Sequence, residues 1–436
     1  MLFTLYDAHT EFTMKSLSYA ILSALAPFTS AFPAAMFDAV HRDPSLMARG
    51  QEFAKLLEAR QTGADSATAL FEPLNTFNAA NQFVNVSAGS GHEYVAPSST
   101  DLRGPCPGLN AMANHNFLPH DGYATITQLI DATNSVVGMG LNLGLFLSTY
   151  GAVIDGSGLA WSLGGTPSAA QAGLLPGGNG ISNSHNKYES DASPTRPDLY
   201  ESGNDYECVA SQFQQLVDAS PQSVTIDSLT EFRSQRFDTQ VANNPYFFNG
   251  PFTGVAVQPA AYTFIFRYMA NHSAEYPAGY LDYDVLASWF GVTGENGNYV
   301  ANQGQERIPE NWYKRAIEYP YDTDYLVADL LAAALLHPKF LDIGGNTGKV
   351  NTFTGVNITD LTEGVFNAET LTQGDNLACY IYQVAAQAKP DLALNVLTDL
   401  GDVVANLTSG LSCPQLEAID QAQLEQFPGY TRSPAA

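Results

Sequence analysis

Cys106 stands in the run Arg103-Gly104-Pro105-Cys106-Pro107-Gly108-Leu109-Asn110, with a proline on each side. The two rings fix φ before and after the cysteine and remove two amide donors, and each proline restricts the residue that precedes it. The backbone therefore has very few ways to pass through Cys106. A loop this rigid presents one thiolate without local motion. That suits a metal, haem iron included, whose bound thiolate pushes electron density toward O–O cleavage. The alternative is a buried cysteine in a tight turn.

The length of 436 residues allows one large domain or two ordinary ones, and a hydrophobic share of 45% is enough for a sizeable core. Acidic residues number 44 against 18 basic ones, a net charge of −26. That field repels phosphate backbones and anionic membranes, so neither nucleic acid nor a membrane is expected as a partner, and nothing implies a partner protein. Near the start, Met14-Lys15 precedes the apolar run from Leu17 to Phe28, and Thr29-Ser30-Ala31 offers small residues for cleavage. This reads as a signal peptide over 14–31 and as secretion. Residues 1–13, with Asp7 and Glu11, fit an upstream extension. Asn85, Asn271, Asn357 and Asn406 each open an N-glycosylation triplet.

Residues 32–100 read as a pro-segment or N-terminal arm with a helix over 44–60, followed by a Ser/Asn/Ala/Gly-rich stretch that wraps the surface. Helical spacing then becomes dense. A helix starts at Thr125, and Val136 to Val153 is apolar enough to read as one central helix, its glycines permitting close approach of a haem or of another helix. Residues 155–183 read as a long loop. Further helices are expected over Ala210–Val217, Ser228–Ala242, Tyr283–Phe290, Tyr325–Leu336, Leu377–Ala388 and Leu392–Leu407. No repeat and no βαβ alternation is present, so the chain is expected to be mainly α with a single catalytic domain.

A second concentration of chemistry is His185-Asn186-Lys187-Tyr188-Glu189-Ser190-Asp191-Ala192-Ser193. Closely spaced oxygens on Glu189, Asp191 and Ser193 suit a hard cation; the alternative is a capping turn before Pro194 that spends them on backbone amides. His115 and His120 lack a second cysteine nearby for zinc, Cys208 reads as a buried free thiol, and there is no G-x-S-x-G elbow for a hydrolase.

The two clusters together resemble the fungal haem-thiolate peroxidases, the chloroperoxidase and unspecific peroxygenase family. The resemblance is carried by Pro105 to Asn110, continuing through Ala113-Asn114-His115 to Leu118-Pro119, and by Tyr188 to Ser193 with Thr195-Arg196 and Asp198. Thr149-Tyr150-Gly151, Asp155-Gly156, Asn244-Pro245 and Leu281-Asp282 agree as well. It implies a single-domain chloroperoxidase-like helical fold over 101–413, a C-terminal tail over 414–436 and haem b held by Cys106. Glu189, the Ser190 carbonyl and Ser193 would bind Mg²⁺ (or Mn²⁺ or Ca²⁺), with Asp191 supporting the turn. Tyr188 and Phe264 would line the substrate channel, and Cys379 would pair with Cys413. The implied reaction uses hydrogen peroxide to oxidise or oxygenate a small organic substrate through an oxoferryl species.

The chain departs from that pattern at the distal carboxylate. The comparable stretch, Phe252 to Phe266, contains neither Glu nor Asp. The expected position falls near Ala261, Gln258 is the nearby polar candidate, and Arg267 and Glu275 lie beyond in a different spacing. Besides a general peroxidase or peroxygenase, the residues therefore leave open a pathway oxidoreductase devoted to one metabolite, or a haem-binding protein with impaired peroxide activation.

Overall fold

A computed structural model describes residues 76–173, 176–388 and 397–431. The expected signal peptide, the upstream extension and the helix over 44–60 lie outside the described residues. Among these, ten helices of seven residues or more surround one core, with three small antiparallel sheets at its edges. The helices are α1 (Pro107–Asn114), α2 (Ile126–Val137), α3 (Leu141–Ile154), α4 (Ala210–Asp218), α5 (Ile226–Asn243), α6 (Gln258–Met269), α7 (Tyr283–Trp289), α8 (Thr323–Leu336), α9 (Asn376–Ala385) and α10 (Leu397–Thr408). The strands are β1 (Tyr123–Thr125), β2 (Ala160–Ser162), β3 (Phe248–Asn249), β4 (Val292–Thr293), β5 (Val300–Ala301), β6 (Gly344–Gly345) and β7 (Thr354–Gly355). They pair as β1–β2, β4–β5 and β3–β6–β7, and β1–β2 sets Ala124 opposite Trp161.

Thr125 starts α2 with a capping box: its amide reaches Gln128 Oε1 at 2.9 Å and its hydroxyl accepts from the Gln128 amide at 3.3 Å. The single helix expected over Val136–Val153 is in fact two. Gly138 closes α2 at φ 71°, and its amide and that of Met139 return to Asn134 and Thr133. That left-handed cap ends the helix although the apolar run continues. The Gly140 amide then donates to the Tyr321 carbonyl at 2.7 Å, and a Cβ on Gly140 would lie 2.5 Å from Asp322 Cβ. The link between α2 and α3 is thus pressed onto the start of α8.

Helix α6 was not expected. It is rich in aromatic and β-branched residues and carries Pro259, all poor helix formers. Pro259 sits in the first turn, where its missing donor costs nothing. The segment before it, Thr253–Val257, is wound wide enough for the Gln258 amide to reach the Thr253 carbonyl five residues back. Packing stabilises what propensity does not: α5 and α8 both lie against α6, while α2 and α10 lie against α3.

The described part of the N-terminal arm runs over the core and inserts Val84 and Val86 into it, with the Val84 amide bound to the Trp312 carbonyl. Residue 413 is not a packing boundary. Leu416, Leu424 and Phe427 of the expected tail are buried, and the Phe427 and Tyr430 rings lie 5.7 and 5.4 Å from Phe248. Their apolar side chains complete the core beside β3, so they belong to the domain. Cys379 on α9 is bonded to Cys413, with Cα atoms 5.4 Å apart.

Candidate active site

Cys106 is the residue before α1, and Pro107 takes the first helical position. Burial pushes its thiol up, while the Leu109 and Gly108 amides and the Arg196 guanidinium favour the thiolate and Glu306 opposes it. The positive end of α1 acts in the same direction as the amides. The loop ahead is held as tightly as the prolines suggest. Asn110 takes the Gly104 amide at 3.0 Å and donates to the Gly104 carbonyl at 2.9 Å. A Cβ on Gly104 would lie 2.1 Å from the Leu163 carbonyl oxygen, so only glycine fits there. Cys106 is itself half-buried because one side of it borders a cavity of about 240 Å³.

The cavity walls are mostly apolar. They include Met112, Leu129, Val137, Leu143 and Phe146 from α1 to α3, Ala260, Ala261, Phe264 and Ile265 from α6, and Leu326, Val327 and Ile381 from α8 and α9. Both channel candidates line it. Tyr188 is fixed across α3, its hydroxyl donating to the Leu147 carbonyl at 3.0 Å, and Phe264 packs on Tyr268 at 4.8 Å. Ala261 also lines the cavity, so the position expected for the distal acid carries a methyl group. Gln258 lines it too, but its amide is committed. Arg233 Nε donates to its Oε1 at 2.6 Å, and its Nε2 reaches the Asp191 and Ala192 carbonyls at 3.4 Å. Among the described lining residues the carboxylates are Glu189 and Asp205, and α6 contributes none.

Those two acids lie in the second cluster. Glu189 Oε2 is 2.7 Å from His185 Nδ1, and single ligand atoms from His185, Glu189 and Asp205 lie within 4.8 Å of one another. Burial pushes Glu189 up to about 8 and Asp205 up to about 9. Glu189 Oε1, the Ser190 hydroxyl, Asp191 Oδ1 and both Asp205 carboxylate oxygens are buried without a hydrogen-bond partner. Oxygens left open in this way fit a hard cation and the acidic edge of a macrocycle. Ser193 borders the same cavity. Asp191 supports the turn by accepting from the Phe248 amide at 3.0 Å, and Ala192 is held at φ 59° by Asp198, which accepts its amide at 2.8 Å. The sequence placed His185 in this cluster without a role and gave no sign of Asp205. His185 was legible four residues before Glu189; Asp205 comes in across a loop, and no local spacing announces it.

A helix start that steadies a thiolate against an apolar chamber, with unsatisfied oxygens at its edge, is the construction of a haem-thiolate protein. Comparison with known sequences agrees. Residues 92–317 match the profile of the family described as Peroxidase, family 2. The chain is 41% identical over 371 residues to the dothistromin biosynthesis peroxidase of Dothistroma septosporum, covering 81% of this chain and 88% of that one. It is 34% identical over 381 residues to an aromatic peroxidase of Fusarium equiseti, covering 81% and 86%. An aromatic peroxygenase of Cyclocybe aegerita is 27% identical over 325 residues, covering 68% and 73%. The chain belongs to this fungal haem-thiolate peroxidase family, and it is a peroxidase or peroxygenase whose implied cofactor is haem.

Proposed function

We propose that the protein uses hydrogen peroxide to oxidise one class of phenolic aromatic metabolite rather than arenes at large. The observation that carries this reading is the α6 wall, where Ala260, Ala261, Phe264 and Ile265 face the cavity and no carboxylate does. Haem, when bound, supplies an iron centre that accepts oxidising equivalents from peroxide. Cys106 ligates it, and the Gly108 and Leu109 amides steady the sulfur. Glu189, Ser193 and the Ser190 carbonyl would hold Mg²⁺, with Asp191 shaping the turn and Asp205 near enough to offer a further ligand atom. Phe264 and Tyr188 pack the substrate ring, and the apolar walls exclude water. With the Gln258 amide bound to Arg233, no acid on α6, and the lining acids Glu189 and Asp205 assigned to the cation turn, the substrate's own phenolic hydroxyl takes the proton-exchange role. A relative named for dothistromin biosynthesis supports a dedicated metabolic role.

The test is stopped-flow absorbance of the haem-loaded protein mixed with peroxide, with and without a phenol or its methyl ether. Peroxide reactivity that rises with the phenol and not with the ether supports the reading. Equal and rapid reaction with a plain arene would instead mean a general peroxygenase with another proton donor. Ferric spectra that persist under all conditions would mean a haem-binding protein.

We also propose secretion and glycosylation. Asn85 and Asn357 are exposed and Asn406 is half-buried on α10, all accessible to a glycan. Asn271 is half-buried, and its Oδ1 accepts from the Tyr313 amide at 2.9 Å. A mobility shift on enzymatic deglycosylation checks this, with Asn→Gln variants assigning the sites.

A further inference from the structure

The loop that carries Cys106 rests on a buried ion pair for which the peroxide chemistry above has no use. Arg196 Nη2 lies 3.2 Å from Glu306 Oε1, and both side chains are only 3% exposed. Arg196 Nε donates to the Pro105 carbonyl at 2.9 Å, the last carbonyl before the cysteine. Asn110 Nδ2, which clamps Gly104, also donates to Glu306 Oε1 at 2.9 Å. Glu306 is itself anchored: its carbonyl accepts from Asn114 Nδ2 at 2.8 Å, and its second carboxylate oxygen is buried without a partner. One positive and one negative charge are thus fixed against the loop that carries the ligand, nearly shut off from water, where charges act strongly on a nearby donor atom.

A strut could have been built from neutral groups. Burying an ion pair carries a desolvation cost that such groups avoid. The two charges also act on the sulfur in opposite senses, Arg196 stabilising its negative charge and Glu306 destabilising it. We propose that Arg196 and Glu306 are positioning residues whose balanced charges set how strongly the Cys106 thiolate donates to the haem iron. The inference rests on Cys106 being the iron ligand. Glu306→Gln keeps an oxygen for Asn110 and Arg196 but removes the charge. Arg196 then acts unopposed, the sulfur donates less, and ferric iron is reduced more easily. Arg196→Met does the reverse, and the double variant restores the balance.

The experiment is spectroelectrochemical titration of the ferric/ferrous couple in the haem-loaded wild type, Glu306→Gln, Arg196→Met and the double variant. Each is also examined as its ferrous CO complex. The expected result is a positive shift for Glu306→Gln, a negative shift for Arg196→Met and a return toward wild type in the double variant. Arg196→Met strands a buried carboxylate and is the variant most at risk of not folding; Glu306→Gln and the double variant then decide the matter alone. A Glu306→Gln protein with the thiolate-type CO band and an unmoved potential would overturn the proposal and leave the pair a mere strut. A double variant shifted as far as Glu306→Gln would overturn it too. A wild type without the thiolate band would sink the ligand assignment itself.

Discussion

At the scale of single residues, the chemistry divides into groups with a settled partner and groups left open. Glu189 belongs to the second kind, since its Oε1 is buried with no hydrogen-bond partner. Glu189→Ala is expected to lower the divalent cation that co-purifies with the haem-loaded protein; elemental analysis checks this, and an unchanged metal content would place the cation elsewhere. Gln258 belongs to the first kind. Its Oε1 is taken by Arg233, so Gln258→Glu should form an ion pair there and leave peroxide reactivity unaltered. Ala261→Glu instead puts a carboxylate into the cavity, and rates of peroxide consumption should rise by about 10² if it serves as the missing base. No gain from Ala261→Glu would mean that the carboxylate does not reach the peroxide. His272 provides the pH handle. It is 3% exposed, its Nδ1 faces the Pro277 carbonyl at 2.7 Å, and burial pushes it down to about 4 from an ordinary value of 6.5, with Arg315 adding to the fall. Between those values the unfolded chain takes up a proton that the folded chain refuses. Stability is therefore lost as pH falls from 6.5 toward 4, on the order of 3 kcal/mol in full. Denaturant titrations of wild type and His272→Gln across that window should diverge; parallel curves would remove His272 from the acid limb.

At the scale of elements, the signals that were legible were local. Thr125 announced the start of α2, and Asp322, whose carboxylate accepts the Asp324 and Tyr325 amides at 3.1 Å, caps α8 just ahead of its expected start. The break at Gly138 was not read, because an apolar run looks the same whether or not a glycine inside it turns left-handed. That glycine now makes a prediction. Gly138→Ala places a Cβ 2.8 Å from Arg315 Cγ at φ 71°, and should destabilise the fold by about 1–2 kcal/mol by denaturant titration. Equal midpoints would show that the link adjusts freely. Helix α6 was illegible for a different reason. Phe264, Ile265 and Tyr268 prefer strands when considered alone. They are helical here because α5 and α8 both pack against the segment, and this override sets the α6 wall of the cavity.

At the scale of the whole molecule, the Cys379–Cys413 bond closes a loop with a sequence separation of 34 and holds the C-terminal segment where Phe427 and Tyr430 reach β3. Replacing both cysteines by serine should cost about 4 kcal/mol in the chain-entropy description. It should also loosen the segment after 413 first, which hydrogen exchange would detect as early loss of protection there; uniform loss would make the bond a general brace. The sequence by itself determined the rigid proline-flanked loop around Cys106, the oxygen-rich run from Glu189 to Ser193, the family and the lack of Glu or Asp between Phe252 and Phe266. Each of these is written in contiguous residues, where proline geometry, a side-chain triplet or a missing carboxylate can be read without knowing the fold. Only the tertiary structure decided that Asp205 joins Glu189, that Arg233 holds Gln258 and that Glu306 binds Arg196 and Asn110 beside the Cys106 loop. Glu306 lies 110 residues from Arg196 along the chain, and such pairs exist because packing brings distant segments out of water together, which no local pattern encodes.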